Sequence, residues 1–308
     1  MIAFRGVAKT YRRILPPGRA VRAVDGITLD LTPGEVTGIA GPNGAGKSTL
    51  ISLLLGFLRP TGGDVTIEGL APRRWVERHG AAYLPELMNV PPHWTVQTAL
   101  RRYAILGGMP ASRIAGAVDA AIQQLGLEEH RRKSAKTLSK GTLQRLGIAQ
   151  ALLQENARLC VLDEPTHGLD PVWTLRFRDI VAGMRRADRV ILLASHGLDE
   201  LERVCDRVAI IDRGQIQRVV DTSGLEARQA STSYRLALAS GGEHVGAVFP
   251  NAQTTGAGEF LIEVESLATL NAGLALLLSR GAQLAAVAPA RSALEQEFRE
   301  AVGESEPA

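Results

Sequence analysis

Val36-Thr37-Gly38-Ile39-Ala40-Gly41-Pro42-Asn43-Gly44-Ala45-Gly46-Lys47-Ser48-Thr49-Leu50-Ile51 decides how the chain is read. Residues 36–40 are an apolar strand, 41–48 spell the phosphate-loop pattern G-x-x-x-x-G-K-S, and an apolar-periodic helix follows. The glycines let the backbone turn tightly and aim successive N–H groups at phosphate oxygens. The starting helix adds its positive dipole end. Gly41, Pro42, Asn43, Gly44, Ala45, Gly46, Lys47, Ser48 and Thr49 are therefore the candidate nucleotide-binding residues. Lys47 is expected to reach the β- and γ-phosphates, and Ser48 to ligate Mg²⁺.

Working outward, 308 residues suffice for one large domain and a smaller one. Hydrophobic residues at 45% and charged residues at 22% exclude a disordered chain and a membrane-embedded one. The best apolar run, Leu267 to Ala288, is interrupted by Asn271, Arg280 and Gln283, so a membrane role is expected only through a partner. The first residues lack the apolar core of a signal peptide, which favours the cytoplasm. A net charge of +3 with scattered arginines argues against nucleic acid as a partner. The two cysteines, Cys160 and Cys205, lie beside apolar runs and read as reduced core thiols.

Residues 1–8 and 26–31 read as strands, and Pro33-Gly34 as a hairpin turn leading to Val36. Tyr11 precedes the Pro/Gly-rich stretch Leu15-Pro16-Pro17-Gly18 and offers a flat ring for stacking on adenine, or is simply a surface tyrosine. Strands are expected at 64–67 and 81–84. From Thr95 to Leu153 the pattern is helical, with stripes Val96/Ala99/Leu100/Tyr103/Ala104 and Ile114/Val118/Ala121/Ile122/Leu125 and a stop at Gly126.

Leu138-Ser139-Lys140-Gly141-Thr142-Leu143-Gln144-Arg145 opens a helix at which Ser139 either caps free N–H groups or makes a second phosphate contact. Arg158 to Pro165 is an apolar strand ending in Asp163 and Glu164, whose side chains alternation sends to opposite sides. Asp163 is placed for the Mg²⁺ shell, and Glu164 to polarise a water for attack on the γ-phosphate. The strand 189–194 runs into Ser195-His196, where a histidine at a strand's carboxyl end points into a ligand crevice. Strands at 207–212 and 215–220 close the domain.

In this order the segments resemble the nucleotide-binding subunit of an ATP-binding cassette (ABC) transporter over residues 1–220. The fold expected is a P-loop NTPase core, a mixed α/β sheet flanked by helices, with an antiparallel N-terminal β subdomain and an all-helical insertion at about 87–153. The domain boundaries expected are 1–221, a linker at 222–230, and an α+β accessory domain at 231–308. The resemblance makes Tyr11 the adenine-stacking aromatic, Asp163 the metal acid, Glu164 the catalytic glutamate, His196 the switch histidine and Gly168-Leu169-Asp170 the D-loop. It makes residues 138–145 the signature, whose Ser139 and Gly141 complete the nucleotide site of an opposite subunit. A homodimer with two ATP molecules is implied.

Four positions depart from the family pattern. Lys140 and Thr142 replace a glycine and a glutamine of the signature, and Lys140 is expected to face solvent or to add charge near the γ-phosphate. Glu86 stands where a metal-facing glutamine is usual, adding like charge beside Asp163 and Glu164. His167 replaces a small polar residue. Beyond the linker, strands at 233–238, 259–264 and 283–287 and helices at 267–279 and 292–302 suggest a βαββαβ unit with a tail helix. That tail, Ala293 to Phe298, resembles cassette subunits of ABC-2 type exporters. The function implied is an ATPase at the cytoplasmic face of the membrane that drives a separate polytopic permease. The permease is expected to be held in a groove lined by residues 87–92. The alternative is a soluble cassette ATPase.

Overall fold

The computed structural model describes residues 1–12, 20–223, 225, 233–290 and 293–303. The stretch 15–18, most of the linker and the start of the tail helix expected from the sequence lie outside them. The chain divides into two compact units, Met1–Thr222 and Ser223–Ala308.

The first unit contains two sheets. β1 (Ile2–Tyr11), β2 (Val21–Leu31) and β4 (Gly62–Ile67) form an antiparallel sheet in the order β2-β1-β4. The second sheet comprises β3 (Val36–Ala40), β5 (Ala82–Leu84), β6 (Leu159–Asp163), β7 (Val190–Ser195), β8 (Arg207–Asp212) and β9 (Gln215–Asp221). Its order is β5-β6-β7-β3-β8-β9, parallel except for β9. β3, β6 and β7 are buried at every residue. Strands covered on both faces need unbroken apolar runs, which is why they carry no alternation.

Pro33-Gly34 does make a turn, with Gly34 at φ 89°. It is not a hairpin: β2 pairs with β1, whereas β3 pairs with β7 and β8. The chain changes sheets there. Helix α1 (Lys47–Leu54) fills the space between the sheets, and Phe4, Leu31, Leu50, Leu54, Leu159 and Leu192 belong to one apolar core.

After α2 (Pro72–His79) come the helices of the insertion, α3 (Val96–Leu106), α4 (Ala111–Gln124) and α5 (Lys140–Leu152). The expected stripes are buried, with Tyr103 half-buried, and Gly126 takes φ 57° just past α4. Thr95 caps α3 by accepting from the Thr98 amide at 3.1 Å. α6 (Pro171–Met184) and α7 (Leu198–Val204) follow β6 and β7.

Parallel register positions the site. Asp163 is opposite Ala194, and Ala40 opposite Ser195. The carboxyl ends of β6, β7 and β3 therefore deliver the acid pair, the histidine and the phosphate loop to one sheet edge.

The second unit is β10 (Ser233–Ser240), a helical turn α8 (Val245–Val248), β11 (Gln253–Gly256), β12 (Glu259–Glu263), α9 (Leu267–Ser279), β13 (Gln283–Pro289) and α10 (Ala293–Val302). The antiparallel order is β11-β12-β10-β13, over a core that includes Leu236, Phe249, Ile262, Leu270 and Leu277. Short β11 and α8 lacked a periodic signal long enough to read.

Candidate nucleotide site

The phosphate loop folds because only glycine fits at its tightest points. Gly46 has φ 111°, and a Cβ there would meet the Ala23 carbonyl oxygen at 2.4 Å. At Gly41 a Cβ would lie 2.3 Å from the Ile211 carbonyl oxygen. Lys47 is buried, and its ammonium donates to the carbonyls of Gly41 at 2.6 Å and Pro42 at 3.4 Å. Its Nζ is also 4.0 Å from Glu164 Oε1.

A cavity of about 680 Å³ opens over this loop. Pro42, Asn43, Gly44, Gly46, Lys47, Ser48 and Thr49 line one side of it, and Glu86, Asp163, Glu164 and His196 the other. Tyr11 stands at its rim, 41% exposed, with its hydroxyl 3.5 Å from Thr49 Oγ1. Gly41 and Ala45 lie behind the lining; the Gly41 carbonyl reaches the cavity through Lys47.

Asp163 and Glu164 do not point to opposite sides. Glu164 leaves the strand with φ 48°, a left-handed conformation uncommon for a residue with a Cβ, and both carboxyls face the same cavity. Its amide donates to the Ala194 carbonyl at 2.8 Å. From α5, the buried Gln144 amide donates to the carbonyls of Glu164 at 3.0 Å and Pro165 at 2.9 Å. Glu164 Oε2 is 2.7 Å from His196 Nδ1 and accepts from Ser195 Oγ at 3.4 Å. A donating Nδ1 leaves Nε2 of neutral His196 an acceptor. A phosphate oxygen bonded at Nε2 therefore requires the doubly protonated ring.

Burial, with Glu164 and Glu86 adding like charge, pushes the Asp163 carboxyl up to about 6, against the pull of Lys47 and a hydrogen bond from Ser48. Ser48, hydrogen-bonded to Asp163, lines the cavity together with Glu86, but among the described residues no three acidic, histidine or cysteine side chains converge closely enough to hold a metal by themselves. Such an oxygen set fits Mg²⁺ as one or two carboxylates and a hydroxyl, the rest of the shell coming from waters and phosphate oxygens. Cys160, fully buried, is pushed up to about 12 by desolvation and, like Cys205, is a free thiol.

Ser139, Gly141 and Asp170 do not line the cavity. Ser139 caps α5, accepting from the Thr142 amide at 3.2 Å. Gly141 packs so close to the Gly168 carbonyl that a Cβ would lie 2.6 Å from its oxygen, and Asp170 caps α6 by accepting from the Trp173 amide at 2.9 Å. Lys140 is exposed, and its Nζ lies 2.8 Å from Nε2 of His167, so two of the residues that depart from the family pattern are bonded to one another. His167 lines the cavity, its ring edge-on to that of His196 at 6.4 Å.

Sequence reading assigned nothing to Gln144, Thr166, Ser195 or Glu200. Glu200 on α7 accepts from Thr166 Oγ1 at 2.6 Å and lies 3.3 Å from Ser195 Oγ. Burial pushes its carboxyl above the usual range. No local signal separates these residues from ordinary polar side chains, because their role depends on contacts across strands.

A glycine-rich loop with a buried lysine, facing two strand-end carboxyls and a histidine, defines the class as a P-loop nucleotide-binding ATPase. The ABC transporter family model matches residues 24–167. An uncharacterised ABC transporter ATP-binding protein of Nostoc sp. is 38% identical over 212 residues, 68% of this chain and 62% of that protein. The methionine import ATP-binding protein MetN of Caulobacter vibrioides is 36% identical over 234 residues, covering 73% and 68%. The Nod factor export ATP-binding protein I of Rhizobium etli is 33% identical over 221 residues, covering 70% and 66%. A solved dimeric, post-hydrolysis ATP-binding cassette with ADP and Pi is similar in fold, with a TM-score of 0.65 at 22% identity over 72% of this chain and 99% of that one. The chain belongs to the ABC transporter ATP-binding family. Its matched stretch spans 62% to 68% of the length of these relatives.

Proposed function

We propose that the chain hydrolyses MgATP between two copies of itself and so powers an ABC-2 type exporter from the cytoplasmic face of the membrane. The observation that carries the hydrolytic part is Glu164, held between Lys47 and His196 beside the phosphate loop. Lys47, at the mouth of the loop, neutralises β- and γ-phosphate charge. Ser48, Asp163 and Glu86 would hold Mg²⁺, which would supply Lewis-acid stabilisation of the phosphates. Glu164 accepts the proton of the attacking water, and its aim is set by His196 Nδ1 at 2.7 Å. Tyr11 stacks on adenine.

Ser139, Gly141 and Asp170 stand away from this cavity, which supports a role toward the opposite protomer rather than their own. The dimeric cassette of similar fold is compatible with that arrangement. Coupling to a permease draws support from a second cavity of about 590 Å³, lined by the end of α2, the end of α3 and residues 150–157. Leu106 lines it and is 79% exposed, next to Ile105 at 60%, an apolar pair open to a partner. Residues 87–92, expected to line the permease groove, do not line this cavity, and Leu87 among them is 74% exposed. Among the described residues no helix is long and apolar enough to cross a membrane, so the permease is a separate chain or segment.

The relatives include both an importer and an exporter; the export direction rests on the appended second unit and its Ala293–Phe298 tail. The test is paired. Glu164→Gln mixed with MgATP should elute as a dimer that falls apart without nucleotide, and a monomer under both conditions would refute the shared site. Inverted vesicles carrying this chain with its permease partner should accumulate substrate only with ATP outside, and uptake into right-side-out vesicles would reverse the direction.

A further inference from the structure

Behind the catalytic glutamate lies a polar cluster that the hydrolytic reading does not use. The buried Ser195 hydroxyl sits 3.4 Å from Glu164 Oε2 and 3.3 Å from Glu200 Oε2, and accepts from the Gly197 amide at 3.0 Å. A hydroxyl has one proton, so it cannot serve two carboxylates at once. Thr166 Oγ1 donates to Glu200 Oε2 at 2.6 Å, whereas Glu200 Oε1 is buried with no hydrogen-bond partner. The titratable groups acting on Glu200 are Glu164, which repels a second negative charge, His196 on the far side of Glu164, and the buried thiol Cys205.

Ionised, Glu200 would hold a buried oxygen without a donor and compete with Glu164 for the serine proton. Protonated, it leaves every distance in place and closes the proton count: Glu200 Oε2–H donates to Ser195 Oγ, and Ser195 Oγ–H donates to Glu164 Oε2. The orphaned Oε1 is then the carbonyl oxygen of a neutral acid, far cheaper to bury than a charged one.

We propose that Glu200 is a neutral carboxylic acid and a positioning residue for Glu164, fixing the direction of the Ser195 hydroxyl and tying α7 to the turn Glu164-Pro165-Thr166. The proposal rests on the reading of Glu164 as the base. Glu200 does not line the nucleotide cavity; it acts through Ser195 and Thr166. An isosteric neutral donor can replace it, because a glutamine amide at this place also donates to Ser195.

The experiment compares steady-state ATP hydrolysis by the full chain carrying Glu200→Ala, Glu200→Gln, Ser195→Ala or Glu164→Gln. Glu200→Ala and Ser195→Ala should lower kcat about tenfold with KM unchanged, the scale of a lost hydrogen bond to a charged group. Glu200→Gln should recover kcat to within about twofold of the parent. If the glutamine variant falls as far as the alanine one, the charge is required and the neutral assignment is wrong.

A second readout does not depend on the alanine variant folding. The infrared difference between parent and Glu200→Gln at mildly alkaline pH should contain the C=O stretch of a protonated carboxyl. Carboxylate bands there instead overturn the proposal. Glu164→Gln separates the two readings: parental turnover in that variant removes the base and with it the positioning role, while the infrared band still decides the proton on Glu200.

Discussion

The two units bury very different things. In the first, Lys47, Asp163, Glu164, Arg189, Gln144 and Ser195 are all buried, and all but Arg189 stand at or against the carboxyl ends of β3, β6 and β7. Among the described residues of the second unit, every side chain in the buried core is apolar or, at Tyr234, aromatic. Burying charge costs stability unless it is paired, and here it is paired only in part, with Asp163 driven toward protonation by its neighbours. The contrast teaches that the first unit gives up stability to concentrate charge at one sheet edge, whereas the second is built for packing.

Breaking the charged edge should give the largest effects. Lys47→Ala should abolish tight nucleotide binding, and titration with a fluorescent ATP analogue that gave the parental affinity would contradict it. Glu164→Gln should keep binding while turnover drops by roughly 10²–10⁴; phosphate release at the parental rate would show that the base lies elsewhere. In the second unit, Ile262→Ala should cost about 2–5 kcal/mol locally, read as faster hydrogen exchange of β10 amides, with nucleotide affinity unchanged.

The smallest effect sharpens the comparison through pH. The Asp163 carboxyl is raised from 3.8 to about 6, so in the absence of metal the folded chain binds a proton that the unfolded chain has released. Its contribution is present below about 4 and is lost as pH rises through about 6. Asp163→Asn should flatten that part of the stability profile, and thermal unfolding of both proteins across this window checks it. An unchanged slope would mean that another group carries the titration.

The placement of the phosphate loop, Asp163 and His196 at strand ends facing one cavity was legible in the sequence because each is defined by its immediate neighbours: a strand, then a turn or a polar end. The same holds for the stripes of α3 and α4. What escaped depends on distant pairing. Pro33-Gly34 looks the same whether the next strand folds back or enters another sheet, and only the pairing of Val36 with Ile191 distinguishes them. Alternation misplaced Glu164 because its left-handed backbone is imposed by the Ala194 carbonyl and Gln144. Lys140 and His167 each looked like a solitary departure; they are 27 residues apart and bonded.

Gln144 gives the molecule a lever. Its amide grips the successive backbone carbonyls of Glu164 and Pro165, so α5 cannot swing or slide without either dragging that turn along or breaking two bonds in a place where water cannot replace them. Motion of the helical layer and the aim of the Glu164 carboxylate are thereby one mechanical coordinate.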